Sequence, residues 1–181
     1  TRQDVAMAGT TLTFDINDRE FQGKTRELRR RLESLDKHEL TETLGGQVLA
    51  RTMERFRHAE SPDGGKWPIT IRQKMGDART ALLGQGSKLA QSYTYRADSD
   101  SVEIGSNLKY AAIHHFGGTI RAKRAKALRF RIGGTWVMKK AVTIPARPAL
   151  GVNDEDERHL VETAEDWLKL ALKDFLTVRG S

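Results

Sequence analysis

From Ile104 to Asn153 the chain carries ten Lys or Arg and no Asp or Glu, although 30% of its 181 residues are charged. Three punctuation marks cut this stretch: Gly117-Gly118, Gly133-Gly134 and Pro145-Ala-Arg-Pro148. A glycine pair after Tyr110–Phe116 stops a helix, because glycine takes the left-handed geometry of a helix end. A glycine pair between Leu128–Ile132 and Thr135–Met138 closes a two-residue hairpin. Proline cannot donate to a sheet, so the chain leaves the sheet at Pro145. The stretch reads as a helix end, a protruding basic β-hairpin arm over about 119–143, and a proline-fixed return. Leu128, Phe130 and Ile132 alternate with Arg129 and Arg131, and Val142–Ile144 extends the second strand of the arm.

The flanking sequence supplies the rest of an α+β domain spanning 1–181. Thr11–Ile16 alternates with period two and predicts a strand. Asn17-Asp18 offers an N-cap for a helix from about Arg19 to Leu35, with Phe21, Leu28, Leu32 and Leu35 on one face and Arg29–Arg31 solvated on the other. Asp36 and Glu39 have the spacing of a capping box for a second helix from about Lys37 to His58. Gly45-Gly46 inside it is read as a point where another backbone packs closely. Ser61–Gly65 is a turn. Residues 69–92 read as short helical pieces anchored by Leu82, Leu83 and Leu89. Tyr93–Ala97 and Ser101–Ile104 form a hairpin around Asp98–Asp100, and Asn107 caps a short helix through about His115. Asn153 or Asp154 caps the last helix, about 154–176, whose acidic first turn suits the helix dipole. The expected architecture is a mostly antiparallel sheet of hairpins packed against two N-terminal helices and one C-terminal helix.

Enzyme chemistry finds little footing. The chain has no cysteine, which removes thiol nucleophiles and Cys–zinc sites. No apolar run approaches the length of a membrane span. His114 and His115 are neighbours on a helix and point about 100° apart, so both rarely reach one ion; His114 is read as a buried, hydrogen-bonded structural histidine. Ser87, Ser92 and Ser106 lie in no nucleophile elbow. Gly84-Gln-Gly-Ser87-Lys88 lacks phosphate-loop spacing, and Glu103, Asp98 and Asp100 do not make a nuclease cluster. No enzyme activity, metal or cofactor is expected.

Charge is where the sequence points to partners. Residues 1–103 have net charge +1, residues 104–153 +10 and residues 154–181 −4. A basic middle before an acidic end suits a polyanion, or complementary contacts between copies. The candidate partner-facing residues are Arg121, Lys123, Arg124, Lys126, Arg129, Arg131, Lys139 and Lys140. One reading is a non-specific nucleic-acid-binding module using this 121–140 segment, with binding that weakens steeply in salt.

Pro62-Asp-Gly-Gly-Lys-Trp67, Leu89-x-x-Ser92, Val102-Glu-Ile-Gly-Ser106, Tyr110-Ala-x-Ile-His-x-Phe-Gly-Gly118 and Ile144-Pro-Ala-Arg-Pro148-x-Leu-Gly151 follow one another in that order. Together they resemble the phage virion morphogenesis family, which includes the Mu protein G-like tail-completion and tail-terminator proteins. Ser87-Lys88 stands where Thr-Gly is usual, and Ala149 where Phe is expected. The resemblance implies a structural virion protein of the tail or neck, present in the host cytoplasm during assembly and without enzyme activity. It would complete or terminate the tail and help join it to the head. Its implied partners are further copies of itself in a ring, expected as a hexamer, the tail tube and head-neck proteins, and DNA in the channel through non-specific electrostatics. In that setting Tyr110, His114, Phe116, Gly117, Gly118, Pro145, Arg147 and Pro148 are hinge and scaffold candidates. Arg147 would hold backbone carbonyls or a carboxylate. The basic segment meets DNA or a neighbouring subunit.

Overall fold

The computed structural model describes residues 4–7, 10–13, 18–83, 87–123, 125–132 and 134–173. The chain divides into two compact units, residues 1–36 and 37–181, where the sequence reads as one domain. In the first, β1 (Asp4–Met7) pairs antiparallel with β2 (Thr10–Thr13), with Val5 opposite Leu12. The strand expected over Thr11–Ile16 is thus part of a hairpin; Phe14–Ile16 and the cap residue Asn17 lie outside the described residues. Helix α1 (Asp18–Ser34) follows, with Leu28 and Leu32 half-buried and Arg29–Arg31 exposed.

The second unit is organised on α2 (His38–His58). Its N-cap is Lys37, without a side-chain cap, so the expected Asp36–Glu39 capping box does not form. The helix start is held instead by Thr41, whose hydroxyl donates to the Asp98 carbonyl at 2.6 Å. That bond ties the helix to the turn of a hairpin, β3 (Tyr93–Ala97) with β4 (Val102–Ser106), in which Tyr95 faces Ile104. Gly45 explains how closely the two meet: a Cβ there would lie 2.5 Å from the Tyr95 ring and 3.0 Å from Val102 Cγ1. The close packing falls on Gly45 and is made by side chains of the hairpin, not by another backbone as the glycine pair is read.

Phe56, two turns past Val48, carries the core. Its ring meets Trp67 edge-on at 5.5 Å and Tyr93 at 5.5 Å. Ala81, Leu89, Ala90, Ala111 and Ala149 complete the buried cluster, with Leu82 and Leu83 packed against it. Two one-turn helices, α3 (Ile71–Lys74) and α4 (Lys88–Gln91), lie in the 69–92 segment. Gly84 and Gly86 lie outside the described residues. Helix α5 (Ala111–Phe116) begins later than expected. β4 runs on to Ser106, whose hydroxyl accepts from the Leu108 N–H, and a turn from Leu108 to Ala111 follows. Asn107 therefore caps nothing; the N-cap is Tyr110.

The basic stretch forms two further antiparallel pairs. β6 (Leu128–Ile132) and β7 (Thr135–Lys139) make the expected hairpin, with Arg129 opposite Met138 and Arg131 opposite Trp136. Its turn residue Gly133 lies outside the described residues. β8 (Ala141–Ile144) does not extend that hairpin by pairing with β6. It pairs with β5 (Gly118–Arg121), an element the sequence reading did not identify as a strand. Ala122 N–H donates to Lys140 O at 3.1 Å between the two ladders. Among the described residues the strands stay as four two-stranded antiparallel pairs. Helix α6 (Asp154–Ala171) follows the return segment. Asn153 is its N-cap in a full capping box with Asp156.

The two adjacent glycines of α2 separate cleanly in what they tolerate. Gly45→Val drives methyl groups into the Tyr95 ring and is expected to lose about 1–3 kcal/mol, the cost of overpacking. Gly46 has only the Tyr95 hydroxyl near it, at 3.8 Å, so Gly46→Ala is expected to gain up to about 1 kcal/mol of helix propensity. Urea midpoints of the two variants check both signs.

Candidate assembly interface

The return segment 145–151 is held from three sides. Arg147 is buried. Its Nε donates to Pro68 O at 2.9 Å, and its backbone N–H donates to His114 O at 2.8 Å. Trp67 Nε1 donates to Pro148 O at 3.1 Å. From α2, the buried Arg55 guanidinium donates to the carbonyls of Ala149 and Gly151. Its other terminal nitrogen pairs with the Asp156 carboxylate at the start of α6. Arg51 reaches the same carboxylate through Nε at 2.7 Å, and Asn153 Nδ2 donates to Pro62 O at 2.9 Å. One carboxylate and two arginines thus join α2, the return and α6.

Electrostatics follows from this geometry. Burial alone would raise the Asp156 carboxyl. The Arg51 hydrogen bond, the Asn153 backbone N–H and the charges of Arg55 and Arg51 outweigh it and hold the group below its ordinary value. Arg51 is raised, chiefly by its hydrogen bond to Asp156. Burial pushes Arg147 down. His114 is lowered by burial and then by the Arg147 charge. The imidazole Nδ1 of His114 is buried with no hydrogen-bond partner among the described residues. The expected side-chain hydrogen bond is not made at Nδ1, and it is the His114 backbone carbonyl that accepts from Arg147 N–H.

The hinge residues sort into different places. Gly117 has φ 71°, and a Cβ there would meet Ala146 N at 2.7 Å. That position needs glycine both for its backbone and for the close approach of the return segment. Gly118 starts β5 at φ 143°, under the Ile113 side chain. Tyr110 stacks edge-on to His114 at 6.1 Å, whereas His115 meets Phe116 at 4.6 Å, so the two histidines face different partners. Phe116 is 78% exposed and does not pack into the turn. Pro145, Arg147 and His114 line a groove of about 610 Å³ together with Ile69, Ile71, Met75, Arg131, Ile132 and Val142.

Arg121, Lys123, Lys126, Arg129, Arg131, Lys139 and Lys140 are all exposed; Arg124 lies outside the described residues. Among the described residues none of these seven forms an ion pair with a carboxylate of the chain. Arg129 instead lies 4.2 Å over the Trp136 ring, with Arg131 at 5.6 Å. The acids of α6 lie elsewhere. Sequence reasoning placed these cations but missed Arg55, Arg51 and Asp156. The available signal was the i, i+4 pair of arginines on α2 and an acid three residues after Asn153. Each has a local explanation that conceals the long-range one.

The model of the phage virion morphogenesis family matches residues 16–169. Mu-like prophage FluMu G protein 2 of Haemophilus influenzae is 35% identical over 134 residues, covering 74% of this chain and 80% of the relative. The putative capsid assembly protein G of Escherichia phage Mu is 26% identical over 137 residues, covering 72% and 78%. No solved structure matches the chain.

Asp156→Asn leaves Arg55 charged and buried without its partner, and is expected to cost about 3–5 kcal/mol. Because the folded carboxyl titrates below its unfolded value, its contribution is present above the unfolded pKa of about 4 and is lost as pH falls through the folded value. Urea midpoints from neutral to acid pH are expected to fall less steeply for Asp156→Asn than for the parent chain.

Proposed function

The chain belongs to the phage virion morphogenesis family, and from that premise we propose that it completes or terminates the phage tail and helps join it to the head. It works as a ring of identical copies around the DNA channel, in the tail or neck of the virion. The role as a structural protein of phage assembly comes with the family; the tail position and the ring are the finer reading. One observation carries it: seven exposed cations without carboxylate partners among the described residues, on the same molecule as a helix with an exposed acidic side. A ring is built from heterologous contacts, in which one face of a subunit meets a different face of the next. Two surfaces of opposite sign on one chain suit that geometry. The groove beside Pro145 and the exposed Phe116 add apolar surface in the same region, as subunit contacts require. Its other partners are then the end of the tail tube and the neck proteins of the head. Cations left over at the lumen meet DNA through its phosphates.

Disruption of the gene in its phage or prophage, followed by electron microscopy of an induced lysate, tests the reading. Filled heads lying apart from tails with irregular ends are the expected outcome, reversed by supplying the protein in trans. Complete virions in normal numbers would overturn it. So would normal tails beside aberrant heads, which would move the role to the capsid.

A further inference from the structure

We propose that the outward face of the β6–β7 hairpin docks on the outward face of α6 in a second copy of the chain, and that this pair of faces is the subunit contact. The inference rests on the reading of the chain as a self-assembling virion part and names the surfaces that such assembly uses.

The hairpin register fixes the first face. Residues directly opposite in an antiparallel pair project to the same side. Arg129 opposite Met138 and Arg131 opposite Trp136 therefore form one four-residue patch. Trp136 is 55% and Met138 65% exposed, and both arginines are exposed. Arg129 is stacked on Trp136. Arg131 is tied back through Nε and a terminal nitrogen to Gly134 O, at 3.2 and 3.0 Å. Two guanidinium groups are thus held in place around an exposed indole before any partner arrives, so little conformational entropy remains to be lost on docking. Trp, Arg and Met are the residues enriched where protein interfaces concentrate their energy.

The second face is on α6. Asp154, Glu157, Val161, Glu165 and Leu168 follow at steps of three and four, which places them in one stripe along a helix. All five are exposed. The stripe flanks Leu160, Ala164 and Trp167, the half-buried side of the helix, about a quarter-turn round from it. It offers three exposed carboxylates, of which Glu165 shares Lys169 at 3.9 Å, and two aliphatic side chains. The hairpin patch offers two guanidinium groups, an indole and a thioether. Sign and polarity match, and the sites differ, so the contact is heterologous and repeats from copy to copy. A nucleic acid suits the patch less well. A phosphate backbone makes no use of Met138, whereas the aliphatic side chains of the α6 stripe cover it.

Two variants test the pairing because each retains one good face. Arg129→Glu with Arg131→Glu spoils the hairpin; Glu157→Ala with Glu165→Ala strips the helix of charge, so the two spoiled faces do not complement each other. Sedimentation and native mass spectrometry over a dilution series read the assembly of the purified full chain. The wild type is expected to associate beyond dimers. Each variant alone is expected to stay monomeric, and an equal mixture is expected to stop at heterodimers, the one contact that both good faces allow. Trp136→Ala, an exposed truncation that leaves the fold intact, is expected to weaken association at least tenfold. It decides the matter should a charge variant fail to fold. A wild type that is monomeric throughout overturns the proposal, as does a charge variant that assembles normally. A mixture that stays monomeric while both variants keep the parent's thermal transition does so too. A hairpin variant that loses salt-dependent binding to short duplex DNA but keeps its self-association assigns the patch to nucleic acid and equally overturns it. These results are read on purified protein, so they stand apart from lysate morphology: a failed pairing leaves the tail role intact, and a failed tail role leaves the pairing measurable.

Discussion

The second unit depends on a charge that has been taken out of water. Arg55 lies inside the fold beside Asp156, and burying such a pair costs several kcal/mol per ion, which its own attraction only partly offsets. What makes the arrangement worthwhile is the number of groups it satisfies together. The Arg55 guanidinium serves the Ala149 and Gly151 carbonyls as well as Asp156. Asp156 in turn accepts from Arg51 and from the Asn153 backbone. The return segment 145–151 has no strand or helix to satisfy its backbone. Buried peptide groups need partners from somewhere, and the carbonyls of 148, 149 and 151 find them in Trp67 and Arg55. The pair is therefore a geometric device: it sets where α6 begins relative to α2 and where the chain runs between them.

That placement governs the basic ribbon. β8 leads directly into the return, and β5 leaves α5 at Gly117, where the two segments approach so closely that a methyl group has no room. The ribbon is clamped at its base by the β5–β8 ladder, the Arg147–His114 backbone bond and Gly117. Beyond Ala122 the ladder stops, and β6–β7 forms a two-stranded pair of its own. The groove beside Pro145 runs between this hairpin and the Ile69–Met75 segment, so its width is set by the same anchors that hold Arg147.

Short-range features were legible and long-range ones were not. The β3–β4 and β6–β7 hairpins were visible because turn residues and alternation sit within a dozen positions of each other. The N-cap of α6 was local as well, although its capping box with Asp156 was not read. Caps assigned to Asp36 and Asn107 failed because a suitable side chain is only an opportunity: α2 and α5 begin at Lys37 and Tyr110, neither with a side-chain cap. β5 escaped because Gly-Thr-Ile-Arg is too short to show alternation, and its partner lies more than twenty residues on. The Arg55–Asp156 pair joins residues about a hundred positions apart. Nothing in the spacing of an amphipathic helix separates a buried arginine from a solvated one. Of the interface, the sequence marked the cations and their sign; it did not show that Arg129 and Arg131 share a face with Trp136 and Met138, because that follows from register.

The absence of acids from 104–153 now has two explanations rather than one. Arg147 is an interior residue, whose need is for carbonyls; an acid nearby would compete with Pro68 for its donor. The cations of 121–140 are exterior, and for them the absence matters differently. A carboxylate on the same hairpin would close internal ion pairs of little value in water and leave the surface neutral. Without one, the segment repels itself mildly in the free chain and keeps its full charge for a surface of opposite sign. Exposed Trp136 and Met138 among those charges shift the balance further, since apolar area gains from being covered while guanidinium groups lose hydration unless a carboxylate replaces it. A partner that meets both needs is apolar and acidic at once, and the stripe along α6 is a surface of that kind within the same chain.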